Sequence, residues 1–342
     1  MNSEEYSPQK RTDEEGVRGT TPRTNGLFWT KILLACLYGF LLTSLPIDEF
    51  KDRSNYLEYA DTSDIILDRY IDRGLISTLS NEPLWLLVNI FLRTWFESET
   101  VLRIIIFLPA FLVAFLALRN QKGGDIFWVI LFLFLQPILK NHIVHLRQGA
   151  AISVFLLSLS VKSRGLKYLL FSMTPFIHAS FFFIFALKIL LKINKFLRFS
   201  TNIRLAFALL LGVLLAGNFV YVAQTLGARQ AIEYEYGVAD ISGIGFIFWS
   251  IILAFFVVRT GAFPRQHVFE ISSIGFYLGT YFITEVTARI FESSLMLVLL
   301  AGLGLPFKNK RLFLAALIAY YGLGYFLNRN EPWFGFGFYD LS

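Results

Sequence analysis

From residue 27 onward the chain repeats one pattern that leaves few folds open: long apolar runs, nearly free of charge, divided by short clusters of Lys and Arg. Such a run crosses hydrocarbon as a helix once it reaches ~20 residues. Inside a bilayer every backbone N–H and C=O must find a partner within the protein, so only helices and closed barrels span it. A barrel would alternate apolar and polar residues with period two, and these runs are continuous. The expected fold is therefore an all-α polytopic integral membrane protein, with about ten or eleven transmembrane helices plus a short re-entrant helix. Composition agrees, with 55% hydrophobic and 16% charged residues, far from a soluble domain. The single Cys excludes a disulfide framework and a cysteine-rich metal site. A net charge of +6 does not imply nucleic acid, because the bases are scattered between apolar runs instead of lining one face.

Residues 1–26 are polar, mixed in charge and rich in Gly, Pro, Ser and Thr, and are expected to form a disordered cytoplasmic tail. The transmembrane domain is expected over residues 27–328. Its first run, residues 27–46, follows an acidic tail and has no small-residue cleavage site, so it reads as a retained span, not a signal peptide. Residues 48–82 form the one long polar insertion, expected as a large loop on the solvent side, with nine acids against four bases. Five later segments, 119–125, 162–167, 188–204, 259–265 and 308–311, hold 15 Lys or Arg and a single acid, Asp125. The positive-inside rule makes these five cytoplasmic and turns 48–82, 140–147, 225–243, 285–291 and 329–342 outward, with the N-terminus inside. This pattern holds only if the short run 83–96 is re-entrant or interfacial. The run 168–187, interrupted by Pro175 and by His178 and Ser180, reads as one span or as a hairpin of two short helices, and charge favours the hairpin.

Ionisable groups in hydrocarbon cost ~2.5–3.5 kcal/mol each, so those lying in or at the ends of the runs are functional candidates. Arg147 stands in NHIVHLRQGAA, where a helix start beside small residues offers amide donors and a guanidinium to an anion; its plain alternative is snorkelling to head groups. His142 and His145 lie three apart without a third ligand near in sequence, so no metal site is expected. Arg289, in TEVTARIFE, has Glu285 and Glu292 on its own face if the segment is helical, either a structural clamp or part of a site. His178, in FIHASFFF, is a candidate base or a hydrogen-bonded core histidine. In the polar insertion Asp52, Arg53, Tyr56 and Tyr59 suit a sugar-binding surface of rings and carboxylates, and Glu82 is placed to cap a helix opening at Pro83. The aromatic end 329–342 reads as an interfacial belt outside the last span. No nucleotide-binding loop, dinucleotide fingerprint or serine-hydrolase signature is found.

Taken in order, Asp52, Arg53, Tyr56 and Tyr59, then Glu82-Pro83-Leu84, then Arg147-Gln148-Gly149-Ala150-Ala151, then FIHASFFF after a basic turn, the chain resembles the EpsG-like branch of the Wzy-type polysaccharide polymerases of O-antigen, capsule and exopolysaccharide pathways. The likeness covers residues 27 to about 190; beyond them it rests on hydropathy and the Arg289 region. The resemblance implies a bacterial inner-membrane glycosyltransferase without cofactor or metal. It would move oligosaccharide repeat units from undecaprenyl diphosphate onto a growing glycan at the periplasmic face. Implied partners are that lipid-linked oligosaccharide and the bilayer, with a chain-length regulator and a flippase in the same pathway. Arg147 and Arg289 would neutralise the diphosphate leaving group, one of Glu82, His178 and Glu285 would act as base, and Gln148, Asp52, Arg53, Tyr56, Tyr59 and His145 would hold substrate. Two rival classes are a lipid-linked oligosaccharide flippase, which would favour internal repeats, and a membrane acyltransferase, which would want a histidine paired with a carboxylate.

Overall fold

The computed structural model describes residues 23–225, 227, 242–258 and 262–338. Residues 1–22 of the expected N-terminal tail, most of the connection 225–243, part of 259–265 and the last four residues lie outside them, while residues 23–26, expected in that tail, open the first helix. Among the described residues there are 17 α-helices and one 3₁₀ turn, and the only β-pairing is an isolated antiparallel bridge between Phe50 and Gly337. The protein is an all-α membrane protein.

Helix α1 (Arg23–Thr43) packs along α5 (Ser98–Leu118). The stretch Gly26–Thr43 of α1 and the whole of α5 are long and apolar enough to cross a membrane. Lys31, inside that stretch, is buried and donates to the carbonyls of Arg119 and Gln121 at 2.9 and 2.7 Å, satisfying the open C-terminal end of α5 with a cation. Two further crossings arise if bent pairs are each one span: α6 (Asp125–Leu133) with α7 (Gln136–Ile143), bent by 55°, and α11 (Thr201–Gly217) with α12 (Phe219–Thr225), bent by 59°. The first bend falls at Leu135, which is extended at φ −66°, ψ 138°, and Pro137 in the first turn of α7 has no N–H with which to continue the ladder from α6.

The other apolar runs form shorter helices: α4 (Pro83–Arg93), α8 (Leu146–Ser160), α9 (Arg164–Ile177), α10 (Phe181–Phe196), α13 (Ile244–Val257), α14 (Phe263–Gln266) and α15 (Val268–Thr280). The run 83–96 is thus an 11-residue helix, and the run 168–187 breaks in two at His178-Ala179-Ser180. The C-terminal helices are α16 (Thr287–Leu303) and α17 (Phe307–Leu327). Helix α16 is buried almost all round and touches α6, α7, α8, α10, α15 and α17, so it is the central pillar. Helices α11 and α15 approach closely: a Cβ at Gly212 would lie 2.5 Å from the Phe276 carbonyl oxygen, and one at Gly279 would lie 2.3 Å from that of Leu209. Small residues let membrane helices gain dispersion contacts that larger ones would block.

The polar insertion 48–82 is not a loop. It is α2 (Arg53–Asp72) followed by α3 (Leu75–Ser80), with α2 laid on α4 and α5. Its buried residues, Arg53, Tyr56, Ala60, Ser63 and Tyr70, recur at spacings of three, four and seven, one face of a helix. The aromatic end is not a free belt either. Lys51 N–H donates to Phe336 O at 3.0 Å and Phe338 N–H to Glu49 O at 3.2 Å, while the Trp333 indole donates to Glu49 at 2.6 Å. Residues 329–338 are therefore clasped to the start of the insertion, at the same end of the bundle.

Candidate functional site

Glu82 sits at the joint between α3 and α4 in the left-handed region, at φ 58°, ψ 50°, a conformation that costs a non-glycine residue of order 1–3 kcal/mol and persists only where surroundings impose it. Pro83 opens α4 as the sequence suggests, but the Glu82 carboxylate does not cap that helix. It reaches instead to two other elements. One oxygen meets the Arg147 guanidinium in the first turn of α8 at 2.5 Å; the other accepts from Ala179 N–H at 3.0 Å and lies 2.8 Å from His178 Nδ1, both at the break between α9 and α10. The side chain of Glu82 is 4% exposed. Burial pushes its carboxyl up, but Arg147 and His178 outweigh this and hold it at about 2, so it is ionised. An ionised carboxylate only accepts hydrogen bonds, which fixes the proton of a neutral His178 on Nδ1 and leaves the Nε2 lone pair as its basic position.

Arg147 is set by the same logic. Its guanidinium lies over the Tyr59 ring, 5.3 Å from the centroid, and Tyr56 is within hydrogen-bonding reach of it. Tyr56 in turn meets Trp85 of α4 edge to face at 5.7 Å. Tyr59, Glu82, Trp85 and Arg147 help to line a cavity of about 10 Å³, roughly the space for one water. Two residues before Arg147 the chain turns through His145, and α7 is pressed against α8 at Gly149, where a Cβ would stand 2.0 Å from the Asn141 carbonyl oxygen. That contact, and not a ligand, occupies the small residue.

The C-terminal half enters through α16. Gln148, fully buried, donates to the Arg289 carbonyl and lies 3.3 Å from Ser293 Oγ; Ser293 Oγ is 3.0 Å from Ser180 Oγ, two residues after His178. Glu292 faces His145 at 3.9 Å, and Arg289 and His178 are close enough to act on both of them electrostatically. Four segments far apart in sequence, around 82, 145–148, 178–180 and 289–293, thus form one polar cluster in an apolar bundle.

Other sequence candidates sit differently. Arg53 is fully buried and spends its guanidinium on the carbonyls of Leu45, Pro46 and Ile143 at 2.9–3.2 Å, tying the insertion to the end of α7. Asp52 is also left-handed, at φ 65°, just before α2. Glu285 is exposed and precedes the first residue of α16, so it does not share a helical face with Arg289. His142 is buried, edge-on to Tyr38 at 6.2 Å, and among the described residues no three His, Cys, Asp or Glu gather as a metal site would need. Residues that sequence reasoning passed over are Ser180, Ser293, Asn141 and, above all, Glu292, read only as a neighbour of Arg289.

A family model described as the EpsG family matches residues 30–328. The chain belongs to the EpsG family. No curated protein and no solved structure matches it. Membership makes it a polysaccharide-polymerase-like membrane protein, and the match spans both halves of the polar cluster, so the EpsG region includes α16 as well as the insertion and α8.

Proposed function

We propose that this EpsG-family protein polymerises oligosaccharide repeat units carried on undecaprenyl diphosphate, at the periplasmic face of the bacterial inner membrane. The carrying observation is the Arg147–Glu82–His178 array, a buried carboxylate with a guanidinium at 2.5 Å and an imidazole at 2.8 Å, at the end of the bundle that holds the polar insertion. Such an array suits displacement of a diphosphate at an anomeric carbon. The leaving group develops charge that Arg147 and Arg289 would stabilise. Of the three candidate bases the geometry favours His178, whose Nε2 would take the proton of the acceptor hydroxyl as that oxygen attacks the anomeric carbon and the C1–O bond to diphosphate breaks. Glu82 serves as a positioning residue: already ionised and salt-bridged, it fixes the tautomer of His178 and the fork of Arg147. The energy comes from the glycosyl diphosphate bond.

The membrane acyltransferase reading gains one observation, because His178 paired with Glu82 is the dyad it asks for. Family membership favours the polymerase. One experiment separates them: purified protein in nanodiscs is given lipid-linked repeat units and the products are resolved on a gel. A ladder is expected from the wild type. His178→Ala should lower its rate about 10²- to 10⁴-fold, and Arg147→Lys, which keeps the charge but loses the fork, should lower it at least tenfold. No ladder from the wild type, or an undiminished one from both variants, would sink the assignment.

A further inference from the structure

Next to the Glu82–Arg147–His178 array lies a second, larger space that the array does not use. A cavity of about 320 Å³ opens between α7, α13, α16, α17 and the C-terminal clasp, at the small end of the ~300–1,000 Å³ typical of ligand sites. Its walls are aromatic, with Trp249, Tyr277, Tyr320 and Tyr321 among them, and its charged groups are Glu292 and Lys140. Glu292 is 8% exposed; its Oε2 is buried and faces His145 Nδ1 at 3.9 Å, and the Asn141 side chain is within hydrogen-bonding reach of the carboxylate. Tyr277 and Tyr320 line the cavity, and their hydroxyls meet that of Tyr281 just beside it, at Gly245, where a Cβ would stand 2.9–3.2 Å from all three oxygens.

The chemistry selects the occupant. Aromatic faces bind the C–H faces of a ring, carboxylate and phenol oxygens bind hydroxyls, and Lys140 offsets the charge of Glu292, so the cavity favours an uncharged, hydroxyl-rich ligand over an anion. We propose that it is a saccharide subsite holding the terminal sugars of the acceptor glycan, with Glu292 accepting hydrogen bonds from their hydroxyls. The assignment rests on the polymerase reading for the word acceptor. His145 stands between the two spaces, facing Glu292 across 3.9 Å and two residues from Arg147, so a glycan end leaving the cavity would emerge beside His178.

The test measures binding, not turnover. The full-length protein in nanodiscs is titrated with the lipid-free repeat oligosaccharide, released by mild acid from the host's carrier lipid, and fluorescence of Trp249 is followed against a Trp249→Phe control. Saturable quenching is expected. Glu292→Gln should weaken the affinity about 10- to 100-fold, the range for losing hydrogen bonds to a charged group, and Ala288→Trp, which fills the mouth from an exposed position on α16, should abolish it. Affinity unchanged within twofold in both variants would overturn the subsite even if the protein polymerises. Oligosaccharide binding that depends on Glu292 in a protein that makes no ladder would uphold the subsite and overturn the polymerase reading.

Discussion

Glu82 joins three elements of the polar cluster, through Arg147, His178 and the Ala179 N–H. Its carboxyl titrates near an ordinary 4.5 in the unfolded chain and at about 2 in the folded one. A depressed value of this kind stabilises the fold fully above the unfolded value, and that contribution is lost as pH falls from about 4.5 toward 2. Melting temperature in nanodiscs should therefore be flat from pH 7 to about 5 and fall below it, while Glu82→Gln should melt lower at pH 7 and lose most of the acid dependence; parallel curves for both proteins would refute this. That Glu82, Arg147 and His178 would need polar partners was legible in the sequence, because charge beside apolar runs is expensive and must be matched. Their pairing was not, since the partners lie 65 and 96 residues apart and no local pattern carries such a distance. Arg53 misled for the complementary reason: a guanidinium among tyrosines looks like a binding group, but three backbone carbonyls left without partners at helix ends claimed it.

At the level of elements, the apolar runs announced helices reliably and their ends poorly. The insertion 48–82 was obscured by its nine acids, five of which, Glu58, Asp61, Asp64, Asp68 and Asp72, sit on the exposed side of α2, while the stripe of Tyr56, Ala60, Ser63 and Tyr70 that buries it is only moderately apolar. The start of α16 at Thr287 likewise removed Glu285 from the face of Arg289 and left Glu292 on a buried one. Gly149 illustrates how tightly the element scale governs the residue scale. A methyl there would meet the backbone of α7 at 2.0 Å, forcing α7 and α8 apart and shifting His145 and Arg147 with them. Gly149→Ala should cost about 1–3 kcal/mol, visible as a lower melting temperature, and should reduce polymerisation by more than the stability loss explains. A variant that melts and polymerises like the wild type would show that the contact yields.

For the molecule as a whole, the clasp between residues 49–51 and 336–338 has a counting consequence. Two stretches joined by main-chain hydrogen bonds occupy one side of the bilayer, so the chain between them crosses an even number of times. Adding α1 makes the total odd. Ten crossings would split the clasp across the membrane, whereas eleven would not, and any lower count must be odd too. In a Cys36→Ser background, single cysteines at Asp48 and Phe338, both exposed, should react with a membrane-impermeant maleimide from the same side of sealed vesicles. Labelling from opposite sides would dissolve the clasp. Arithmetic of this sort comes free with a single pair of backbone contacts, and it constrains the topology more firmly than hydropathy, which counts runs but does not know where the two ends meet.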